Sequence, residues 1–311
     1  MTGCEAARSK ATGLAPARLS CYTASLITLL HRDDPGVLER FGPAVRLRVR
    51  TDSVAPRFSQ HDRLDVRAAT ALGYTGAGDW AGALDRLAAD VDADGTVIAV
   101  ADAARLPWSP LHGRASSPHW VLVSRARRGW SVLDPFEALL PEGVAHATEA
   151  VVDDAGLAEL LNPSSDQPAH LRARDEMALG QQVPSPPSHC YRWLRREPAR
   201  QQIEVGCWTA DTGASLDWIT ARLAAQPELV SLWQQDLWAA ARHHEAALKD
   251  LAESDERTAD RVAAWAELPR AMRFAADSAA RGRPRLGLAQ LTIKRLADLE
   301  HAALDKENAH V

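Results

Sequence analysis

The chain has 311 residues, of which 46% are hydrophobic and 25% charged, and its formal net charge is -5. That composition belongs to a folded protein, long enough for two ordinary domains or for one core with a large appendage. It gives no overall basic field for nucleic acid, and no stretch approaches the ~20 apolar residues of a membrane-spanning helix.

Residues 1–18 are small, polar and basic, without the apolar run of a secretory signal, and read as a disordered tail. A helix is expected from Cys21. Ser20 is a suitable N-cap, and Tyr22, Leu26, Leu29 and Leu30 share one face. Asp33-Asp34-Pro35-Gly36 should stop it. Residues 44–50 alternate with period two and predict a strand whose one face carries Arg46, Arg48 and Arg50. A helix is expected over 62–72, a turn over 73–76, an amphipathic helix over 80–91 and a buried strand over 96–101. Residues 106–110, with two prolines, must be a loop, and 119–124 with 129–134 read as a hairpin.

Five prolines between 162 and 188 suggest a linker or a wrapping segment. Beyond it the composition turns to Ala, Leu, Arg and Glu. Helices are expected over 217–225, 228–254, 256–280 and 286–306. The expected organisation is a tail (1–18), a catalytic unit (19–160), a Pro-rich linker (161–190) and a mainly helical part (191–311), an α+β fold overall.

Cys21, His119 and Asp134 carry the chemistry. Thiol catalysis needs a thiolate, a base that holds its proton and a group that orients the base. At a helix N-terminus the backbone dipoles favour an anion, and first-turn amides are placed to hold an oxyanion. If the hairpin pairs symmetrically about residues 125–128, His119 stands opposite Asp134, Val121 opposite Val132, and Val123 opposite Trp130. An aspartate meeting an imidazole on an otherwise apolar face would fix the ring's tautomer. The inference depends on register, because a one-residue slip sends the two side chains to opposite faces.

The stretch 21–135 resembles the papain-like, C39-peptidase-like fold, and in particular the butirosin biosynthesis protein H (BtrH)-type family. The matching pieces are the helix opening Cys21-Tyr22-Thr23-Ala24-Ser25-Leu26, the strand 97–102 with Leu106-Pro107-Trp108, and the strands 119–123 and 130–135. The resemblance covers roughly the first 150 residues, and a helical C-terminal half fits that family's layout. It implies an acyltransferase of natural-product assembly that takes an aminoacyl or acyl group from an acyl or peptidyl carrier-protein thioester to a small-molecule amine. Cys21 would attack, His119 would handle the proton and Asp134 would orient His119. Phosphopantetheine would arrive with the carrier, and no cofactor or metal of the protein's own is implied. Where papain-like enzymes often place a glutamine shortly before the cysteine, Leu19-Ser20 stand here, and Gln60 is the only glutamine in the N-terminal half.

Two other functions remain open at this point, a cysteine hydrolase (peptidase or thioesterase) using the same triad and a non-catalytic binding module. The four cysteines, at 4, 21, 190 and 207, have no CxxC spacing, which suits a reduced, cytoplasmic protein better than a zinc knuckle or disulfide frame. His243-His244-Glu245 lacks the i, i+4 spacing of helical zinc ligands. The arginines at 46, 48 and 50 could meet an acidic carrier or a phosphate, although a solvated edge is the simpler expectation.

Overall fold

The computed structural model describes residues 18–53, 56–67, 69–164, 167–199, 206–252 and 255–308. Most of the expected tail, and Cys4 within it, lie outside them. In chain order the elements are α1 (Cys21–Asp33), α2 (Val37–Ala44), β1 (Val45–Arg50), β2 (Arg57–His61), β3 (Thr70–Ala77), α3 (Trp80–Asp94), β4 (Thr96–Asp102), β5 (Pro118–Arg125), β6 (Trp130–Asp134), β7 (Ala138–Leu140), β8 (Gly143–Ala145), β9 (Thr148–Val152), α4 (Asp154–Leu161), α5 (Ala169–Met177), β10 (Tyr191–Pro198), α6 (Thr212–Ala225), α7 (Leu229–Ala252), α8 (Glu256–Ala280) and α9 (Gly287–Asn308).

A six-stranded antiparallel sheet in the order β3-β10-β4-β5-β6-β9 forms the centre of the N-terminal half. Its strands alternate as a two-faced sheet must. Ile98, Val100, Trp120 and Leu122 pack under α1 and α2, while Val97, Ala99, Val121 and Val123 pack under α3 and α4. A third core joins Leu47, Val49 and Phe58 of the β1–β2 ladder to helices α6–α9. The molecule is therefore a mixed α+β protein with a helical C-terminal part.

Several expectations needed correction. Residues 62–66 are not helical and 73–76 are not a turn: β3 runs through the latter, paired along its length with β10. The buried Asp65 carboxylate accepts the Leu72 amide at 2.7 Å and pairs with Arg63, which ties this segment as an extended chain. Gly76 is a close-approach position, since a Cβ there would lie 2.5 Å from the Tyr191 carbonyl oxygen. The segment expected as a linker contains α5, and the boundary expected at 190/191 falls at β10, which lies between β3 and β4 in the sheet.

The hairpin register also differs. Leu122 pairs with Leu133, Val123 with Val132, Ser124 with Ser131 and Arg125 with Trp130, two residues from the symmetric expectation. The turn is tighter than 125–128. It sits on Arg127 and Arg128, closed by the Ala126 amide donating to Gly129 O at 3.1 Å, with Gly129 at φ +74°. A shift of two preserves parity, so His119 and Asp134 keep the same face as diagonal neighbours instead of facing partners.

Candidate active site

Cys21 opens α1. The Ser20 hydroxyl accepts the Thr23 amide at 3.3 Å, so the expected N-cap is present and holds the first turn. The helix is pinned beside β5 by Ser25 Oγ, which donates to Trp120 O at 2.9 Å, and by Tyr22 packed edge-on against Trp120 at 4.9 Å. Those contacts are made one residue beyond His119. They fix the distance between the sulfur's helix and the imidazole's strand.

His119 Nε2 lies 2.9 Å from Asp134 Oδ2, both side chains nearly buried. Cys21 is near enough to the ring to help raise its pKa, and with Nε2 directed at Asp134, Nδ1 is the nitrogen left for the sulfur. Burial opposes a charged ring and is the largest single influence. The Asp134 carboxylate and the Cys21 sulfur together outweigh it, and the His119 pKa stands well above the ordinary histidine value. An imidazolium beside the sulfur is the counter-ion a thiolate needs.

Asp134 is itself held from two more directions. Trp108 Nε1 donates to Oδ2 at 2.9 Å and the Phe136 amide donates to Oδ1 at 3.1 Å. In sequence Trp108 was readable as part of a proline-bounded loop and of the Leu106-Pro107-Trp108 piece of the resemblance, but not as a partner of Asp134. Its role as a positioning residue for the carboxylate depends on a fold contact across 26 residues. Asp134→Asn is expected to keep the fold at a cost of about 1–3 kcal/mol, because its NH2 must face a buried donor, and to lower turnover on the order of 10²-fold or more. The amide cannot supply the charge that stabilises the imidazolium. Parallel measurement of kcat and the unfolding midpoint checks this, and unchanged turnover would reduce Asp134 to a turn former.

Cys21 and His119 line a cleft of about 530 Å³, with Asp134 buried behind the imidazole. The opposite wall comes from the helical part: Gln235, Asp236 and Trp238 of α7. Arg174 of α5 forks onto Asp236 with two contacts of 2.8 Å, joining the expected linker to α7 across the cleft. Gln60 also lines the cleft, with its amide nitrogen donating to Asp236 O at 3.0 Å. Helix α7 reaches behind the nucleophile as well. The fully buried His243 takes the Ser20 amide on Nε2 at 3.4 Å, and its ring lies 6.0 Å from that of His61. Sequence spacing excluded a metal role for His243 but gave no hint of this contact, which spans 223 residues.

The other candidates are accounted for locally. Arg46 pairs with Asp62, Arg50 with Asp52, and Arg48 donates to Thr209 O and stacks over Trp208, so the basic strand face is engaged within the molecule. Cys190 and Cys207 are free thiols away from this cleft. Among the described residues, no group of three or more His, Cys, Asp or Glu is arranged to hold a metal ion, and no helix is long and apolar enough to cross a membrane.

Cleft, thiol, imidazole and carboxylate are thus grouped as nucleophilic cysteine chemistry requires, on an α+β scaffold. No protein-family model matches the chain, and no curated protein matches it.

Proposed function

We propose that this protein is a cysteine-dependent acyltransferase with a papain-like, C39-like catalytic unit of the BtrH type, acting in natural-product assembly. One observation carries the reading. Cys21 opens a capped helix beside an imidazole whose Nε2 is held by a buried carboxylate.

In the first half-reaction Sγ of Cys21 attacks the carbonyl carbon of a thioester. The carbon–sulfur bond to the donor breaks, and the departing thiolate takes the proton held on His119. In the second, an amine attacks the acyl-Cys21 thioester, gives a proton to His119, and releases the Cys21 thiolate beside the imidazolium. The first-turn amide of Cys21, which has no partner in the helix's own ladder, lies beside the developing oxyanion. The donor is taken to be an acyl or peptidyl carrier protein bearing phosphopantetheine, and the acceptor a small amine. Free thiols at Cys21, Cys190 and Cys207 suit a reducing, cytoplasmic setting.

A cleft of this size holds a small molecule beside the thioester, which supports transfer over hydrolysis. The test is to load the enzyme from an acyl thioester and titrate amines. Amide formation that rises with amine at the expense of free acid is expected. Free acid released at the same rate whatever amine is added would replace transfer with hydrolysis.

A further inference from the structure

We propose that the acyl group carried on Cys21 is apolar, and that it lodges in a cage which the β7–β8 hairpin and helix α7 build against the sulfur. The inference rests on Cys21 being the residue acylated.

Phe136, Ala138 and Ala145 form a small buried cluster separate from the three main cores. Cys21, Leu140 and Trp238 pack against it, and these three with Phe136 also line the cleft, so the open face of the cage is Phe136, Leu140 and Trp238 with Ala138 and Ala145 filling behind. The nucleophile is thus a wall of the cluster, and an acyl group on Sγ begins life in contact with it. Phe136 is placed by the triad itself, since its amide is one of the donors to Asp134. Its ring stands edge-on to His119 at 5.6 Å and to Trp238 at 6.2 Å. The aromatic floor and the catalytic base therefore share one position.

Trp238 is fixed from behind. Arg242, one turn along α7, lies over its ring at 4.8 Å and donates to Glu137 O at 2.8 Å. That arrangement turns the cation to the hairpin backbone and leaves an indole face for the cluster. The cage residues are all uncharged. Nearby, Arg174 is the nearly buried cation of the cleft, and Asp236 already neutralises it by a two-point contact. An ammonium at the end of the acyl chain would lose water in the cage, and the charged side chain it would meet behind the indole is Arg242, a like charge. A chain of several methylenes, or an aryl group, would gain by leaving water. The part of the protein with no catalytic residue thus sets specificity, through Trp238.

The test compares acetyl, hexanoyl and 6-aminohexanoyl thioesters of N-acetylcysteamine, following acylation of Cys21 by intact mass. Four extra methylenes, even partly buried, should make hexanoyl at least about tenfold faster than acetyl, and the terminal ammonium should cancel most of that gain. Trp238→Ala should bring the hexanoyl-to-acetyl ratio close to one, while Trp238→Phe retains most of it. The ratio is internal to each variant, so a loss of active protein does not imitate the effect. Adducts on Cys21 with hexanoyl no faster than acetyl, or a ratio unmoved in Trp238→Ala, would overturn the cage alone. No adduct from any thioester would overturn the Cys21 reading and the cage together.

Discussion

Replacing His119 with alanine is expected to lower thioester turnover by roughly 10²- to 10⁴-fold, the range a positioned acid–base group supplies. The ring has two tasks here, and the variant loses both. In the proposed mechanism it carries the proton between the sulfur and the leaving or entering group, and its positive charge supports a thiolate beside it. The fold should survive, because Asp134 keeps its Trp108 and Phe136 donors and is not left as an orphaned buried charge. The signature lies in pH dependence. Alkylation of Cys21 by iodoacetamide should be much slower in His119→Ala than in wild type at pH 6. The two rates should draw together as the pH is raised. Equal rates at pH 6 would show that His119 does not act on the sulfur.

Mild acid should destabilise this protein well before its carboxylates titrate. His61, His243 and His244 are buried and held neutral, chiefly because burial penalises the charged ring. His243 is depressed further by its neighbours His61, His244 and Arg242, and His244 is lowered to about 4. In the unfolded chain these rings take protons near pH 6.5. The unfolded state therefore binds more protons as pH falls below that value, and stability is lost between about 6.5 and 4. His244 alone accounts for about 3 kcal/mol over that window, a large share of a typical 5–15 kcal/mol. Its ring stacks on Trp265 at 4.0 Å, beside the Glu300 carboxylate that accepts the Trp265 indole N–H. His119 contributes in the opposite sense. With its pKa raised, its stabilisation is complete below 6.5 and is lost only as pH rises through the higher folded value. Urea midpoints at pH 7.5 and 4.5 should therefore differ clearly, and His244→Phe, which can keep the stack on Trp265, should narrow the gap. A midpoint that stays flat between the two would contradict neutral burial of these rings.

Where signals are local, the sequence was a good guide. Ser20 before a periodic apolar run placed α1, and the Ala-rich periodicity placed α8 at Glu256–Ala280, through Pro269. Cys21, His119 and Asp134 stood out as candidates because each sits in a distinct local context: a first helical turn, a strand start and an Asp-Pro strand end. What pairs with what was harder to read. The two-residue hairpin shift came from a tight turn that Gly129 permits, and the His119–Asp134 contact survived it only because parity is conserved. Strand β10 follows a proline-rich stretch and pairs with β3 more than a hundred residues earlier, a match with no local signature. Gly76 of β3 reads as a turn former although it lets the Tyr191 carbonyl approach closely. Trp108, Trp238 and His243 gained their roles from long-range contacts, which spacing along a chain cannot supply.

The central claim is that Cys21 becomes acylated. Intact-mass analysis after brief exposure to an acyl thioester tests it most directly, with wild type and Cys21→Ala run side by side. A single acyl increment on the wild type that maps to Cys21 and is missing from Cys21→Ala is the result predicted. An increment that persists in Cys21→Ala, or a wild type that acquires none, would contradict it.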